Sequence, residues 1–277
     1  MTRYKIGDVA RLLGLTTQAL RFYEQEGVIH PLRSENGTRY YTVDQMVLLL
    51  SFKKYRQADF SVQDIVTHFT NDDMASLSAR LEKRRQALVE QSRHLLRLAD
   101  AVARLERGVA YAQAHEGEIL PCERPPLTVL EPPLDRLGAA TPRQLDALRA
   151  YTEAMPAVFI SFACDCALQG GASFHMTVDA PTARAWSLPL EDARELRCIP
   201  CARVIRRFSC QPWSSEALAP LLDDVRAQGF VPDTQSPLLG VHIASETVAG
   251  KVYLYAAVYV PLCGAHSSEF RQIPPIF

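Results

Sequence analysis

Two short amphipathic patterns open the chain and are joined by a glycine. The apolar positions of the first pattern lie three or four residues apart, as on one face of a helix: Ile6, Val9, Ala10 and Leu13. Gly14 then marks a turn with positive φ, Thr16 is a residue type that caps a helix, and Gly27 follows the second pattern as a typical end signal. Two helices joined by a short turn that contains glycine predict a helix-turn-helix.

A helix-turn-helix of this kind either binds DNA or is an ordinary helical hairpin of a core. In the first case the second helix enters a major groove and presents Thr17, Gln18 and Arg21 outward. The next stretch favours DNA binding, because Asn36-Gly37 predicts a tight hairpin. Side chains that suit phosphate contacts follow that hairpin: Arg39, Tyr40 and Tyr41. The combination predicts a helix-turn-helix with a wing.

Residues 76–112 carry a seven-residue repeat of apolar side chains, which is typical of a coiled coil. The first seam position holds Leu81, Leu88, Leu95, Val102 and Val109. The second holds Leu77, Leu98 and Leu105, and Arg84 and Gln91 interrupt it. The flanks are too polar to be buried on all sides, so we favour a helix that pairs with a second copy over one that packs only on its own chain.

Alternation with a period of two replaces the helical period after residue 120. The proline-rich segment 121–133 predicts a linker into a first strand. Two blocks with the order β-α-β-β follow, with strands at 127–131, 158–163, 173–178, 202–208, 238–245 and 251–262 and helices at 141–154 and 215–230. The last strand places Val252, Leu254, Ala256, Val258 and Val260 on one face and Tyr253, Tyr255, Ala257 and Tyr259 on the other. We therefore predict an α+β fold.

Length, cysteine usage and charge narrow the class of protein. A chain of 277 residues favours more than one domain, and it contains no apolar run long enough to span a membrane and no apolar signal core at residues 1–8. Seven cysteines, none in the first 121 residues, favour a reducing cytoplasm over a disulfide scaffold. The charge is balanced over residues 1–75, +4 over 76–112 and −5 over 113–277. Any nucleic-acid contact is therefore expected in the first part of the chain.

Roughly the first 70 residues resemble the DNA-binding domain of the MerR family of bacterial transcription regulators. The matching stretches are Ile-Gly-Asp-Val-Ala at 6–10, Leu-Arg-Phe-Tyr-Glu at 20–24, Gly-Val-Ile at 27–29, Arg-Tyr-Tyr at 39–41, Asp44 with the helix after it, and Phe-Ser-Val-Gln-Asp-Ile at 60–65. The resemblance implies a winged helix-turn-helix with Arg21, Tyr23, Arg39 and Tyr40 near DNA.

The resemblance also implies an architecture and a mechanism. Family members pair through an antiparallel helix, and the homodimer binds a pseudo-palindromic operator in a promoter with an overlong spacer. Distortion of that DNA lets RNA polymerase engage both promoter elements. For this chain the resemblance implies a DNA-binding domain in residues 1–75, a dimerisation helix in 76–112 and an effector-binding domain in 120–277.

Residues 120–264 resemble the gyrase-inhibitory-protein-like effector-binding domain of multidrug-responsive members. That domain implies a pocket for lipophilic, often cationic, molecules, and hence activation of a multidrug-resistance or efflux gene. Aromatic faces and a desolvated carboxylate suit such a ligand. The candidates are Phe162, Phe174, Trp186, Phe208, Trp213, Tyr253, Tyr255 and Tyr259, with Glu246, expected in a hairpin loop, as the carboxylate. Relatives often place Glu where this chain has Ala257, so a neutral or zwitterionic ligand is an alternative.

The cysteines support a rival hypothesis. Cys164 and Cys166, Cys198 and Cys201, and the nearby Cys210 have the spacing of thiolate ligands for Zn²⁺ or Cu⁺. Metal sensors of the family, however, place cysteines at the dimer helix and a short tail, and residues 76–112 contain none. We therefore favour scattered core cysteines over a metal or redox site, and expect neither a metal nor another cofactor.

A third possibility is an enzyme, because some proteins with the duplicated domain hydrolyse reactive natural products with acidic side chains. Ala257 in place of the acid and an intact DNA-binding unit argue against catalysis. The sequence also shows no glycine-rich phosphate loop, nucleophile elbow or zinc-protease motif. We expect a regulator whose partners are double-stranded promoter DNA, RNA polymerase, a small lipophilic ligand and a second copy of the chain, and not a membrane.

Overall fold

The protein divides into two compact units, Met1–Arg93 and His94–Phe277. The computed structural model describes residues 2–71, 73–209 and 214–264. The boundary between the units falls inside one long helix, Met74–Ala114. The division into functional domains at 1–75, 76–112 and 120–277 stays a prediction.

The first unit is a winged helix-turn-helix, as the sequence predicts. Its helices are α1 (Ile6–Leu13), α2 (Thr17–Gln25), α3 (Val43–Gln57) and α4 (Val62–Asn71), and its strands are β1 (Tyr4–Lys5), β2 (Leu32–Arg33) and β3 (Arg39–Tyr41). The strands form an antiparallel sheet in the order β1-β3-β2. Gly14 ends α1 in the left-handed conformation, with φ of 59°, and the ammonium group of Lys53 donates to the carbonyl of Leu13 at 2.6 Å. The turn is thus fixed by glycine geometry and by a cation at the end of a helix.

A charged cluster ties the wing to α2. The carboxylate of Glu24 accepts hydrogen bonds from Arg39, at 2.6 Å, and from Arg33. Burial by itself raises the pKa of Glu24, but the hydrogen bonds and charges of the two arginines outweigh it and hold the pKa below the ordinary value of 4.5. The carboxylate therefore stays ionised and links β2 and β3 to the second helix of the helix-turn-helix.

The long helix α5 (Met74–Ala114) carries two apolar stripes. The first seam position, which comprises Leu81, Leu88, Leu95, Val102 and Val109, is 36–55% exposed. In the second, Leu77 is buried and Leu105 packs on its own chain. Arg84 interrupts this seam because its guanidinium donates to the carbonyl of Ala58 at 2.9 Å and pairs with Asp59 at 2.6 Å. The second seam position thus packs within the chain, whereas the first stays exposed on the helix surface.

The second unit is built on one eight-stranded antiparallel sheet. Its strands are β4 (Ile119–Arg124), β5 (Leu127–Leu130), β6 (Phe159–Cys164), β7 (Ser173–Val178), β8 (Ala193–Leu196), β9 (Ile199–Ser209), β10 (Leu238–Val248) and β11 (Lys251–Pro261). Their order is β4-β9-β11-β10-β6-β7-β5-β8. Outward from the central β6–β10 pair, β6, β7 and β5 on one side mirror β10, β11 and β9 on the other. The predicted duplication of β-α-β-β is therefore present, with the two copies joined edge to edge.

The predicted linker at 121–133 is wrong, because residues 119–124 form strand β4, which pairs with β9. Pro121 misleads because proline is tolerated in an edge strand, where a missing backbone donor leaves no ladder bond unmade. Two elements between the repeats were also not predicted, helix α7 (Ala180–Ala185) and strand β8.

The sheet separates two layers of core. On the α6/α8 face, helix α8 (Ala219–Ala227) covers Phe162, Ala256 and Val258, and helix α6 (Pro142–Glu153) covers Met176 and Val178. On the opposite face, here the α5 face, Leu105, Tyr111 and Ala112 of α5 pack with a second set that includes Phe159, Ala257 and Tyr259. This arrangement confirms the predicted alternation along β11. None of the helices in the described ranges combines the length and the apolar composition that a membrane crossing requires.

Replacing Glu24 with Gln should loosen the wing. The substitution leaves Arg39, with 28% of its side chain exposed, without its counter-charge, so we expect a local loss of about 1–2 kcal/mol at neutral pH. Because the folded pKa is depressed, this contribution is complete above pH 4.5 and is lost as the pH falls through the folded value. Hydrogen-exchange protection of the β2 and β3 amides measures both effects.

The matched control is Asp8→Asn, which breaks the exposed pair between Arg11 and Asp8 and should change protection little. Unchanged protection of the wing in Glu24→Gln at pH 7 would show that the cluster does not hold β2 and β3 in place.

Candidate functional site

The exposed side of α2 is the first candidate site. Thr16 caps the helix, since its hydroxyl accepts from the backbone N–H of Ala19 at 3.0 Å. Leu20 is buried in the core of the unit, which turns Thr17, Gln18 and Arg21 to solvent. The structure therefore presents as one surface the three side chains that sequence places outward.

Four other residues that the sequence places near DNA are less exposed than Thr17, Gln18 and Arg21. They are Tyr23 of α2 and Arg39, Tyr40 and Tyr41 of the wing. Tyr23 packs in the core, with its ring 4.5 Å from Phe52, and Tyr41 has no exposed surface. Tyr40 is half-buried and Arg39 is held by Glu24. Period-two alternation in β3 explains the difference between Tyr40 and Tyr41, because neighbours in a strand face opposite ways. Tyr23 and Tyr41 thus serve the core of this unit and offer little or no surface to a duplex.

An aromatic cavity of about 460 Å³, including its mouth, lies over the middle of the sheet on the α6/α8 face. We call it the aromatic cavity; its lining includes Ile160, Phe162, Phe174, Phe208, His242 and Leu254. Three of the predicted ligand residues, all phenylalanines, therefore come together. Burial lowers the pKa of His242, so its ring is neutral at pH 7. No charged side chain belongs to the lining among the described residues.

Gly240 makes the aromatic cavity possible. It lies on β10 directly opposite Phe162 of β6, and a Cβ at this position would lie 2.0 Å from the phenylalanine ring. The ligand residues that the sequence predicts do not include Gly240, His242, Ile160 or Leu254. A glycine in the interior of an alternating strand is nevertheless a recognised sign of close approach.

Glu246 and Tyr255 line a different cavity of about 380 Å³, together with Val109, Ala112 and Gln113 of α5. Glu246 lies within β10 opposite Tyr253, and not in a hairpin loop as expected, because β10 and β11 are joined by a two-residue turn at Ala249 and Gly250 with positive φ. Its carboxylate pairs with Arg207 at 2.6 Å and accepts from the hydroxyl of Tyr255 at 3.1 Å. The hydrogen bond from Arg207 lowers the pKa of Glu246 despite the opposing effect of desolvation. Its charge is thus already compensated.

The remaining aromatic candidates lie outside both cavities. Trp186 follows α7 and packs against His94 and Arg97 of α5, with the guanidinium 5.5 Å from the ring centre. The guanidinium of Arg207 lies over the ring of Tyr253, 5.0 Å from the ring centre. Tyr259 is buried and hydrogen-bonded to Arg203. Trp213 and Cys210 lie outside the described residues.

The cysteines do not assemble as their spacing suggested. Cys164 and Cys166 belong to the core on the α6/α8 face, whereas Cys201 belongs to the α5 face and lies opposite Cys122. Burial raises the pKa of Cys164 and Cys201 to about 12 and that of Cys122 and Cys166 to about 11, so these thiols are protonated at pH 7. Within residues 2–71, 73–209 and 214–264, no group of three His, Cys, Asp or Glu side chains is arranged to hold a metal ion.

Comparison with known proteins agrees with the geometry of the first unit. The sequence profile described as MerR HTH family regulatory protein matches residues 4–72. The HTH-type transcriptional regulator CueR of Escherichia coli O157:H7 is 34% identical over 109 residues, which cover 35% of this chain and 81% of CueR. This chain belongs to the MerR family. CueR of Vibrio cholerae serotype O1 is 33% identical over 122 residues, or 42% of this MerR-family chain and 86% of CueR.

Two solved structures align with this chain at low sequence identity. A MerR-family regulator from Bacillus cereus aligns with 22% identity and a TM-score of 0.33, over 40% of this chain and 84% of its own. EcmrR, in a cryo-EM structure of its complex with DNA, aligns with 14% identity and a TM-score of 0.31, over 94% of this chain and 99% of its own.

Gly240→Ala should close the aromatic cavity. The added methyl group collides with Phe162, whose ring must then turn away from β10, so we expect a lower melting temperature and an overpacking cost of about 1–3 kcal/mol. Binding of the neutral dye Nile red should weaken, measured by fluorescence titration of the full chain. Gly171→Ala is the control, since a methyl group there meets nothing within 4 Å. Equal dye affinity in both variants would mean that the dye does not use this cavity.

Proposed function

We propose that this MerR-family protein is a homodimeric regulator that binds promoter DNA through residues 1–75, pairs through residues 76–112 and responds to a lipophilic small molecule bound by residues 120–277. Ligand binding changes the shape of the promoter that the dimer prefers and activates a multidrug-resistance or efflux gene through RNA polymerase. The single observation that carries the proposal is the MerR profile over residues 4–72, on a unit whose α2 turns polar side chains to solvent.

DNA contact is assigned to side chains that have free surface. Thr17, Gln18 and Arg21 are exposed on α2, the helix that a helix-turn-helix inserts into the major groove. Arg39 and Tyr40 stand on the wing, where their role is to contact phosphate. The link from Glu24 to Arg39 places that guanidinium at a fixed position beside α2.

Dimerisation is assigned to the open stripe of α5. A helix that leaves five heptad positions 36–55% exposed presents an apolar seam on its surface. A second copy of the same helix has the same seam, so two copies bury both. Closed two-fold pairing then presents two α2 helices, as a pseudo-palindromic operator requires.

The effector is assigned to the aromatic cavity. Its phenylalanine lining and neutral His242 favour a lipophilic aromatic molecule. A neutral ligand suits the cavity better than a cation, because a buried charge there would depend on ring faces alone. Glu246, the expected counter-charge, already pairs with Arg207 beside a different cavity.

Thiolate sensing is the second candidate. The observation that favours it is that Cys122 lies opposite Cys201, with the exposed Cys198 close enough to influence the pKa of both. It requires thiols with strongly raised pKa values to lose their protons on binding. A rise in melting temperature with Zn²⁺ or Cu⁺ alone, lost in Cys201→Ser, would favour this candidate over the organic effector.

Arg21→Ala should weaken operator binding by about 5- to 150-fold, as expected for the loss of one base or phosphate contact. The operator is a duplex selected from random sequence by the wild-type protein, and affinity is measured by fluorescence anisotropy at fixed salt. Arg149→Ala, which removes another exposed arginine, from α6, is the control for net charge. Equal affinities of the Arg21→Ala protein and the wild type would remove Arg21 from the interface.

Leu95→Glu should separate the protomers. The wild type is expected to sediment at twice the chain mass of 30.9 kDa, and the variant at that mass, because pairing would bury a carboxylate in an apolar seam. Leu190→Glu, which changes a leucine of similar exposure outside the helix, is the control. A dimer that survives Leu95→Glu with unchanged stability would place the interface elsewhere.

A further inference from the structure

Cys122 and Cys201 lie side by side on neighbouring antiparallel strands. Cys122 belongs to β4 and Cys201 to β9, and the register sets the two residues directly opposite each other. Residues opposite each other in an antiparallel ladder have Cα atoms about 4.5 or 5.5 Å apart, depending on the type of pair. Both values fall within the range of about 4.4–6.8 Å that a disulfide spans. The backbone at this pair therefore already has the spacing that a disulfide requires.

The two side chains also project into the same core. Both thiols pack on the α5 face of the sheet, and Cys122 is close enough to influence the pKa of Cys201. Burial raises the pKa of both thiols, and the positive charges of Arg203 beside Cys122 and of Arg124 beside Cys201 oppose that effect. A thiolate formed at either position thus faces a guanidinium, which is the kind of neighbour that makes a cysteine reactive.

Cys164 and Cys166 provide a comparison within the same chain. They are as deeply buried as the first pair, and burial raises their pKa to about 12 and about 11, the same values as for Cys201 and Cys122. The register sets Cys164 opposite Leu238 of β10. Burial and acidity are therefore the same in the two sets of thiols, and strand pairing is what distinguishes Cys122 and Cys201.

The position of β4 gives solvent a route to the pair. The sheet order places β4 at one end, beside β9. An edge strand is held by one ladder instead of two, and Pro121 within it has no backbone N–H to donate. Local opening of β4 therefore exposes Cys122 while the rest of the sheet stays paired.

We propose that Cys122 and Cys201 form a redox modification site, which a hydroperoxide converts into a disulfide between β4 and β9. The thiolate of Cys122 attacks one oxygen of the peroxide, the O–O bond breaks, and the other oxygen leaves as water or an alcohol once it is protonated. The product is a sulfenic acid at Cys122. The sulfur of Cys201 then attacks it, the S–O bond breaks, and the hydroxyl leaves as water with the proton of the Cys201 thiol. The two thiols lose two electrons, and the peroxide gains them.

The disulfide would act on the strand that follows the long helix. Helix α5 ends at Ala114 and β4 begins at Ile119, so a covalent bond from β4 to β9 restrains the chain just after the helix. The reaction involves neither a metal ion nor the aromatic cavity. It goes beyond the proposed function, and its test does not depend on an organic effector.

Peptide mapping of the full chain after treatment with hydrogen peroxide tests the proposal. Mass spectrometry without reduction should find the peptides of Cys122 and Cys201 joined, at least about tenfold more often than any other pair of cysteines. Dithiothreitol should release the link. A dominant link from Cys198 to Cys201 would overturn the proposal. So would the absence of any link after about ten times the hydrogen-exchange time of the Cys122 amide, because β4 has then opened repeatedly.

Three variants identify the thiols that react. Oxidation of the wild type should slow hydrogen exchange of the β4 amides at least about tenfold, because the cross-link opposes opening. Cys122→Ala should abolish this slowing, whereas Cys164→Ala, which removes an equally buried thiol, should retain it. Cys198→Ser, which removes an exposed thiol, should retain the link as well. Loss of the link in Cys198→Ser would contradict a direct reaction at Cys122, and unchanged slowing in Cys122→Ala would contradict the site. Should Cys122→Ala fail to fold, the peptide map of the wild type decides.

Discussion

The pairing of β6 with β10 is the contact on which the second unit depends. It joins the two β-α-β-β repeats edge to edge, and at the pair of Gly240 with Phe162 the phenylalanine ring occupies the space that a Cβ at residue 240 would need. A continuous sheet has two faces, and the period-two alternation gives each face its own residues. One face receives α6, α8 and a phenylalanine-lined space, and the other receives the end of α5 and a row of buried polar groups. The two faces therefore differ in chemistry although they share every strand.

Much of this architecture could be predicted, because it depends on the local periodicity of apolar residues. The helix-turn-helix, the seam of α5, the repeat order and the two faces of β11 all follow from spacing within one element. The linker prediction failed because Pro121 carries a local turn signal, while its place in an edge strand depends on β9, some 80 residues away. Glu246 was misplaced for a similar reason, since a two-residue turn at Ala249 extends β10 further than the sequence pattern shows.

The candidate sites were less predictable, because they depend on register between distant strands. The sequence marks Phe162, Phe174 and Phe208 as candidate ligand residues among several aromatics. Only strand pairing brings these three together, and it leaves Trp186 and Tyr253 outside the aromatic cavity. The spacing along the sequence suggests that Cys198 acts together with Cys201. The register between β4 and β9 instead places Cys201 opposite Cys122. In the same way, Tyr40 and Tyr41 are equivalent as residue types, yet alternation in a three-residue strand sends one into the core.

The two faces of the sheet also differ in how a ligand could act on the rest of the unit. On the α5 face, Arg203 stacks on Tyr111 with the guanidinium 4.8 Å from the ring centre, and it also bonds the phenol of Tyr259. The end of α5 is thus held by a buried polar network, and such networks rearrange in discrete steps because an unsatisfied member is costly. A ligand among these groups would bear on α5 through hydrogen bonds that must be remade. A ligand in the aromatic cavity reaches the same helix only through the packing of the central strands. A ligand on the polar face would therefore act on the helix directly, whereas one in the aromatic cavity would act through the shape of the sheet.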